Sequence, residues 1–203
     1  MKTKFSVFKA LVLATALSLA AVAAAQSDIA KREEGAKRIA NAFLKELGGA
    51  LKREMAKAGP SGAIGVCTDL APEIANRLSR ENGWRVTRVG TRVRNPMIGM
   101  PDAWEQQVLA KFGERQRKGE SLKDMSYAEI VSEPGAKYFR YMKAIGVRDL
   151  CLTCHGAKEQ LPDLVQAAFK EHYPFDQATG YKRGDLRGAI SIKQPLDLGP
   201  SDN

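Results

Sequence analysis

The chain is poor in the residues that most often carry chemistry. Its 203 residues include only three cysteines and two histidines. It has one apolar run, Ala10 to Ala25, and no second, so nothing after residue 25 is suited to span a bilayer. It shows no internal repeat and no low-complexity segment beyond that run. Acids are outnumbered, 23 Asp and Glu against 32 Lys and Arg, which leaves a formal net charge of +9.

The first 25 residues read as a secretory leader. Lys2, Lys4 and Lys9 give a basic start, an uncharged stretch follows, and Ala23-Ala24-Ala25 supplies a small-residue cleavage site. Its removal leaves 203 − 25 = 178 residues and a charge of 9 − 3 = +6, since three lysines and no acid are lost. That length holds one domain with a real core. The expected location is the periplasm, without stable membrane insertion after cleavage. An exported basic chain is not expected to meet nucleic acid. Its charge suits acidic protein partners, anionic headgroups or the carboxylates of a bound ligand.

Two of the three cysteines fall in Cys151-Leu152-Thr153-Cys154-His155, followed by Gly156. This C-x-x-C-H pattern is the attachment signature of one c-type haem. Two thiols one helical turn apart add across the vinyl groups, and the adjacent histidine supplies the proximal iron ligand. Cys67 is then left as an unpaired thiol in an oxidising compartment. The non-haem alternative, a zinc site of Cys67, Cys151, Cys154 and His155, lacks a paired spacing around Cys67.

Taken in order, residues 27–58 carry Ile29, Ile39, Phe43, Leu47, Leu51 and Met55 at threes and fours, which predicts a long amphipathic helix ending at Gly59-Pro60. The helix can pack on its own domain or serve as a homodimer contact. Pro72 and Glu73 predict a helix start, with Cys67 just ahead of its N-terminus. Alternation predicts strands over 84–94, 127–131, 137–145 and 186–192, the middle pair joined through Pro134-Gly135. Asp102 and Glu105 predict a capping box opening another helix. Leu164, Val165, Ala168 and Phe169 predict a last helix, ending at His172-Tyr173-Pro174. The expected class is α+β: an antiparallel sheet flanked by helices.

The iron has a second axial position. Cys67, His172, Met97, Met100 and the other methionines are its candidates on chemistry alone, with an open position as the alternative. A thiolate there neutralises the ferric porphyrin's charge and lowers the potential. Arg92, Arg94, Arg140 and Arg187 are candidate propionate partners through charge-assisted hydrogen bonds.

Ile64-Gly65-Val66-Cys67 with Ala71-Pro72, Arg94-Asn95-Pro96 with Pro101-Asp102 and Trp104-Glu105, the haem pentapeptide, Tyr173-Pro174 with Asp176-Gln177-Ala178, and Gly184-Asp185-Leu186-Arg187-Gly188-Ala189 occur in that order. The series resembles a bacterial family of c-type haem domains long described as a domain of unknown function, found free in the periplasm and as sensor parts of signalling proteins. The resemblance implies a PAS-like fold, His155 as proximal ligand and Cys67 as distal ligand. Domain organisation then reads as leader 1–25, N-terminal helix and linker 26–62, and haem-binding domain 63–198. The implied role is a redox-responsive or gas-responsive module acting on a signalling or redox partner, with a periplasmic one-electron carrier as the alternative. An enzyme, such as a haem peroxidase or reductase, needs an open iron position and an acid–base group. His172 is the only spare histidine, so the reading is non-enzymatic.

Overall fold

The computed structural model describes residues 4–196, with side chains described from residue 26 onward. The predicted leader side chains, and residues 197 and 198 of the predicted haem domain, lie outside the described residues. Helix α1 (Lys4–Gly65) is kinked at Gly59, whose φ of 67° only glycine adopts freely. Pro60 restarts the helix where its missing N–H costs nothing. The expected helix end at Gly59-Pro60 is thus a bend rather than a stop.

A five-residue π turn, Val66–Leu70, then leads straight into α2 (Ala71–Asn82), with the Ala71 N–H bonded to Val66 O. The turn has a local cause. In an unbroken α-helix the Pro72 ring would collide with the Thr68 carbonyl and leave it without a donor. One wider turn removes the clash. Cys67 therefore lies inside a continuous helical path, not ahead of a helix start as its sequence suggested.

The remaining elements are β1 (Arg85–Gly90), α3 (Pro96–Gly99), α4 (Ala103–Arg117), β2 (Ser126–Glu133), β3 (Ala136–Gly146), α5 (Asp149–His155), α6 (Asp163–His172) and β4 (Leu186–Pro195). All four strand expectations hold within a few residues. They form one antiparallel sheet in the order β1-β4-β3-β2. The α+β reading, with a long N-terminal helix and an antiparallel sheet, holds.

Alternation along the strands sends side chains to two cores. On one face Phe139, Tyr141, Val86, Ile190 and Ile192 meet Ala36, Ile39, Ala40 and Phe43 of α1 and Ile74 and Leu78 of α2. On the other, Val89, Met142, Ala144 and Ala189 meet Val108, Leu109 and Phe112 of α4. Each fully buried aliphatic or phenyl side chain contributes about 1.5–3 kcal/mol, so the two-sided burial fixes the strand register. Of the α1 stripe, Ile39 and Phe43 are buried in this core and Ile29 and Leu47 pack against it.

The predicted capping box forms. Glu105 N donates to Asp102 Oδ1 at 2.9 Å and Asp102 N to Glu105 Oε2 at 2.8 Å. Glycine is obligatory where β4 crosses β1. Gly188 has φ 153° and pairs with Gly90, and a Cβ on it would lie 2.0 Å from Val89 O. Gly188→Ala is expected to cost about 1–3 kcal/mol from backbone strain alone, read as a lower midpoint in urea unfolding.

Candidate functional site

The haem motif fills α5, which leaves the end of β3 with the turn residues Val147 and Arg148. Cys151 and Cys154 are unpaired thiols, both half-buried, one turn apart on this helix. The Arg148 N–H reaches Cys151 Sγ at 3.4 Å. Burial pushes the Cys154 thiol up to about 11, with Cys67 and Cys151 adding to the rise and Arg94 opposing it. Gly156 closes the helix: its N–H donates to Leu152 O at 2.8 Å, and a Cβ there would stand 2.6 Å from that same oxygen. This explains the glycine that follows the motif histidine.

His155 is held from behind. Its Nδ1 lies 2.6 Å from Ala178 O, a contact that requires the proton on Nδ1. Nε2 is then the bare nitrogen, the tautomer an iron ligand needs. Two backbone bonds, Tyr181 N to His155 O at 2.9 Å and Gly180 N to Gly156 O at 2.7 Å, fix the segment carrying Ala178 against the motif. Tyr181 also stands edge-on to the imidazole, with ring centroids 6.1 Å apart. Its hydroxyl contacts Thr91 Oγ1 at 2.8 Å and accepts from Arg92 N at 3.0 Å. The imidazole is held well below its usual pKa by burial, then by the charges of Arg187 and Arg94, so it stays neutral.

Cys67 comes to the same end of the molecule. Ile64, one turn earlier, packs with Leu161, Val165, Phe169 and Tyr173, and Cys154 lies against that cluster. Cys67 is close enough to influence both Cys154 and Tyr173, whose hydroxyl burial pushes up to about 12. The other candidates for the second axial position point away. Met97 is 89% exposed and Met100 59%, on and just after the short helix α3, and His172 is exposed at the end of α6.

The four arginines separate into two groups. Arg140 lies on the α4 side of the sheet, committed to Asp102 at 2.7 Å, Glu105 at 3.3 Å and Glu133 at 3.4 Å. Arg92, Arg94 and Arg187 gather around Tyr181 and His155. Arg92 stacks on the Tyr181 ring at 3.8 Å. Arg94 donates to Cys154 O at 2.5 Å and Ala178 O at 3.3 Å, and pairs with Asp176 at 3.2 Å. Arg187 donates through Nη1 to Arg92 O at 3.0 Å, while its buried Nε has no partner. Burial, with Arg88 and Arg94 adding to it, lowers its pKa to about 10 despite Tyr181.

The sequence did not single out Arg88 or Tyr181. The alternation of Arg88, Arg92 and Arg94 with Val89, Thr91 and Val93 is the available signal for the first. The second had none, because its hydroxyl partners Thr91 and Arg92 lie 90 and 89 residues away in sequence.

These residues fit a covalent haem. Two unpaired thiols and a bare imidazole nitrogen share one short helix, and a buried guanidinium nitrogen beside them lacks an acceptor. Among the described residues, no group of three or more His, Cys, Asp or Glu side chains is placed to hold a metal ion. A structural zinc needs four protein ligands. A porphyrin brings four nitrogens of its own and asks the chain for two.

The Tll0287-like family model matches residues 9–195, the span from the first helix to the final strand. The chain belongs to the Tll0287-like family. The match runs through the same series of segments that carried the family resemblance in sequence. A solved structure similar to it is that of the cyanobacterial heme protein Tll0287, 26% identical, covering 85% of this chain and 98% of that one with a TM-score of 0.59. No curated protein matches this Tll0287-like chain. Among the described residues no helix is long and apolar enough to cross a membrane.

Proposed function

We propose that this is an exported, non-enzymatic PAS-like haem module. Cys151 and Cys154 attach one haem c, His155 takes the proximal side of the iron and Cys67 the distal side. The observation that carries the reading is the bond from His155 Nδ1 to Ala178 O at 2.6 Å, on the same helix as the two unpaired thiols. It leaves Nε2 as the only uncommitted imidazole nitrogen. The haem-protein relative and the family match agree with it.

Within this reading the residues have distinct roles. Arg187 and Arg92, neighbours across Tyr181 with no carboxylate partner among the described residues, receive the propionates. Arg94 and Arg140 stay with their protein acceptors. Tyr181 braces the histidine. Cys67 sits on a π turn, a helical irregularity that often marks functional sites. A bound haem would supply one-electron chemistry and ligand exchange at iron, and Cys67 is the residue through which the module would respond to redox state or to diatomic gases. The expected location is the periplasm and the expected partner a signalling or redox protein. The net basic charge also suits a one-electron carrier that docks on an acidic partner. That reading predicts reversible cycling with no change of ligand and no response of the ferrous protein to carbon monoxide.

Attachment is tested by expression in cells competent in c-haem maturation, with haem staining after a denaturing gel. The wild type is expected to retain the stain, and Cys151→Ala with Cys154→Ala to lose it. A colourless, zinc-loaded wild type would overturn the proposal.

A further inference from the structure

We propose that Arg94 is a positioning residue for the proximal histidine, setting how strongly Ala178 O accepts from His155 and so the donor strength of Nε2. The inference rests on the haem reading above and deepens it. Arg94 is only 9% exposed, and its guanidinium is held on three sides: it stacks on Phe169 at 3.7 Å, pairs with Asp176 Oδ2 at 3.2 Å, and donates to Cys154 O at 2.5 Å. The same Nη2 lies 3.3 Å from Ala178 O and 3.3 Å from His155 Nδ1. Since Nδ1 carries its proton toward Ala178 O, the contact between the two nitrogens is one of two donors converging on one carbonyl oxygen.

The loop closes through Asp176. Its Oδ1 accepts from Ala178 N at 2.7 Å while its Oδ2 holds Arg94. One carboxylate thus orients both the guanidinium and the residue whose carbonyl receives the imidazole proton. An acceptor shared with a cation draws less on Nδ1–H, so the imidazole has less anionic character and donates less through Nε2. The buried cation itself opposes the extra positive charge of the ferric state. Both effects favour ferrous iron, and loss of Arg94 reverses both.

The test uses the full-length haem-loaded protein and compares wild type with Arg94→Gln, Arg94→Lys and Asp176→Asn by redox titration and by the iron–imidazole vibration. Arg94→Gln is expected to move the ferric/ferrous balance toward ferric by about tenfold, about 59 mV for a one-electron couple. Arg94→Lys keeps the charge but loses the fork that spans two carbonyls. It is expected to raise the vibration frequency with a smaller shift of the same sign. Asp176→Asn, which keeps an acceptor for Ala178 N, is read even if the Arg94 variants fail to fold. It is expected to raise the frequency as the guanidinium loses its anchor.

A haem-loaded Arg94→Lys or Asp176→Asn protein with the wild-type vibration would overturn the proposal and leave Arg94 a packing residue. A wild type without haem defeats the haem reading instead, so the two failures are distinguishable.

Discussion

Replacing Cys67 by alanine in the haem-loaded protein is expected to abolish a thiolate-type low-spin ferric signal and raise the reduction potential. The sign follows from charge. A thiolate cancels the net positive charge of a ferric porphyrin, so removing it takes away a stabilisation of the oxidised state that the reduced state lacks. Two unit charges about 4 Å apart at an effective dielectric of about 20 interact by roughly 4 kcal/mol, which sets the shift at up to a thousandfold in the ferric/ferrous balance. Paramagnetic resonance and absorption read the first consequence and a redox titration the second. An unchanged ferric signal would return the second axial position to His172, Met97 or Met100. The structure holds all three exposed, so each would have to move inward.

The thiol's placement shows where sequence reading succeeds and where it stops. Cys67 stood out as the cysteine left over by the haem motif, and the π turn that carries it was not legible. Pro72 was read as a helix start, because a proline's missing N–H is harmless in a first turn. The same missing N–H is tolerated by widening the helix one turn earlier. Local sequence allows both outcomes, and in the structure the helical path runs on through Val66–Leu70.

The strands were legible because their alternation is imposed by two cores, one on each face of the sheet. The Asp102 cap was legible because both its partners are three residues apart. The arginines were not. Arg94 and Arg140 are alike in sequence as basic residues in or beside strands, and only the fold gives one the carbonyls of Cys154 and Ala178 and the other the carboxylates of α4. Charge alone therefore does not separate the guanidinium groups of Arg94 and Arg140, which have carboxylate partners, from that of Arg187, which has none among the described residues.

Arg140→Ala is expected to destabilise the protein by about 3 kcal/mol. Arg140 is 2% exposed and faces Glu105, itself 3% exposed, together with Asp102 and Glu133, and it stacks 4.3 Å from the Trp104 ring centre. Removing one partner of a buried ion pair costs about 3–5 kcal/mol, because the other charge is left uncompensated. The lower end applies here: Glu105 keeps its bond from Asp102 N, and the Asp102 side chain is 40% exposed. For a chain of this size the melting temperature should fall by about 2–4 °C per kcal/mol, or roughly 6–12 °C.

The pH dependence of that loss has a definite sign. Burial alone would raise the Asp102 pKa, but the Arg140 hydrogen bond, the Glu105 N–H and the charges of Arg140 and Lys193 together outweigh it and hold the carboxyl below its usual 3.8. A depressed carboxyl contributes stability above its unfolded value and loses it as pH falls through the folded one. The gap between wild type and Arg140→Ala should accordingly be constant near neutrality and narrow below about pH 4, in urea titrations run across that range. A gap that stays constant through acid would mean that Arg140 acts by filling space against Trp104, with its charge contributing little.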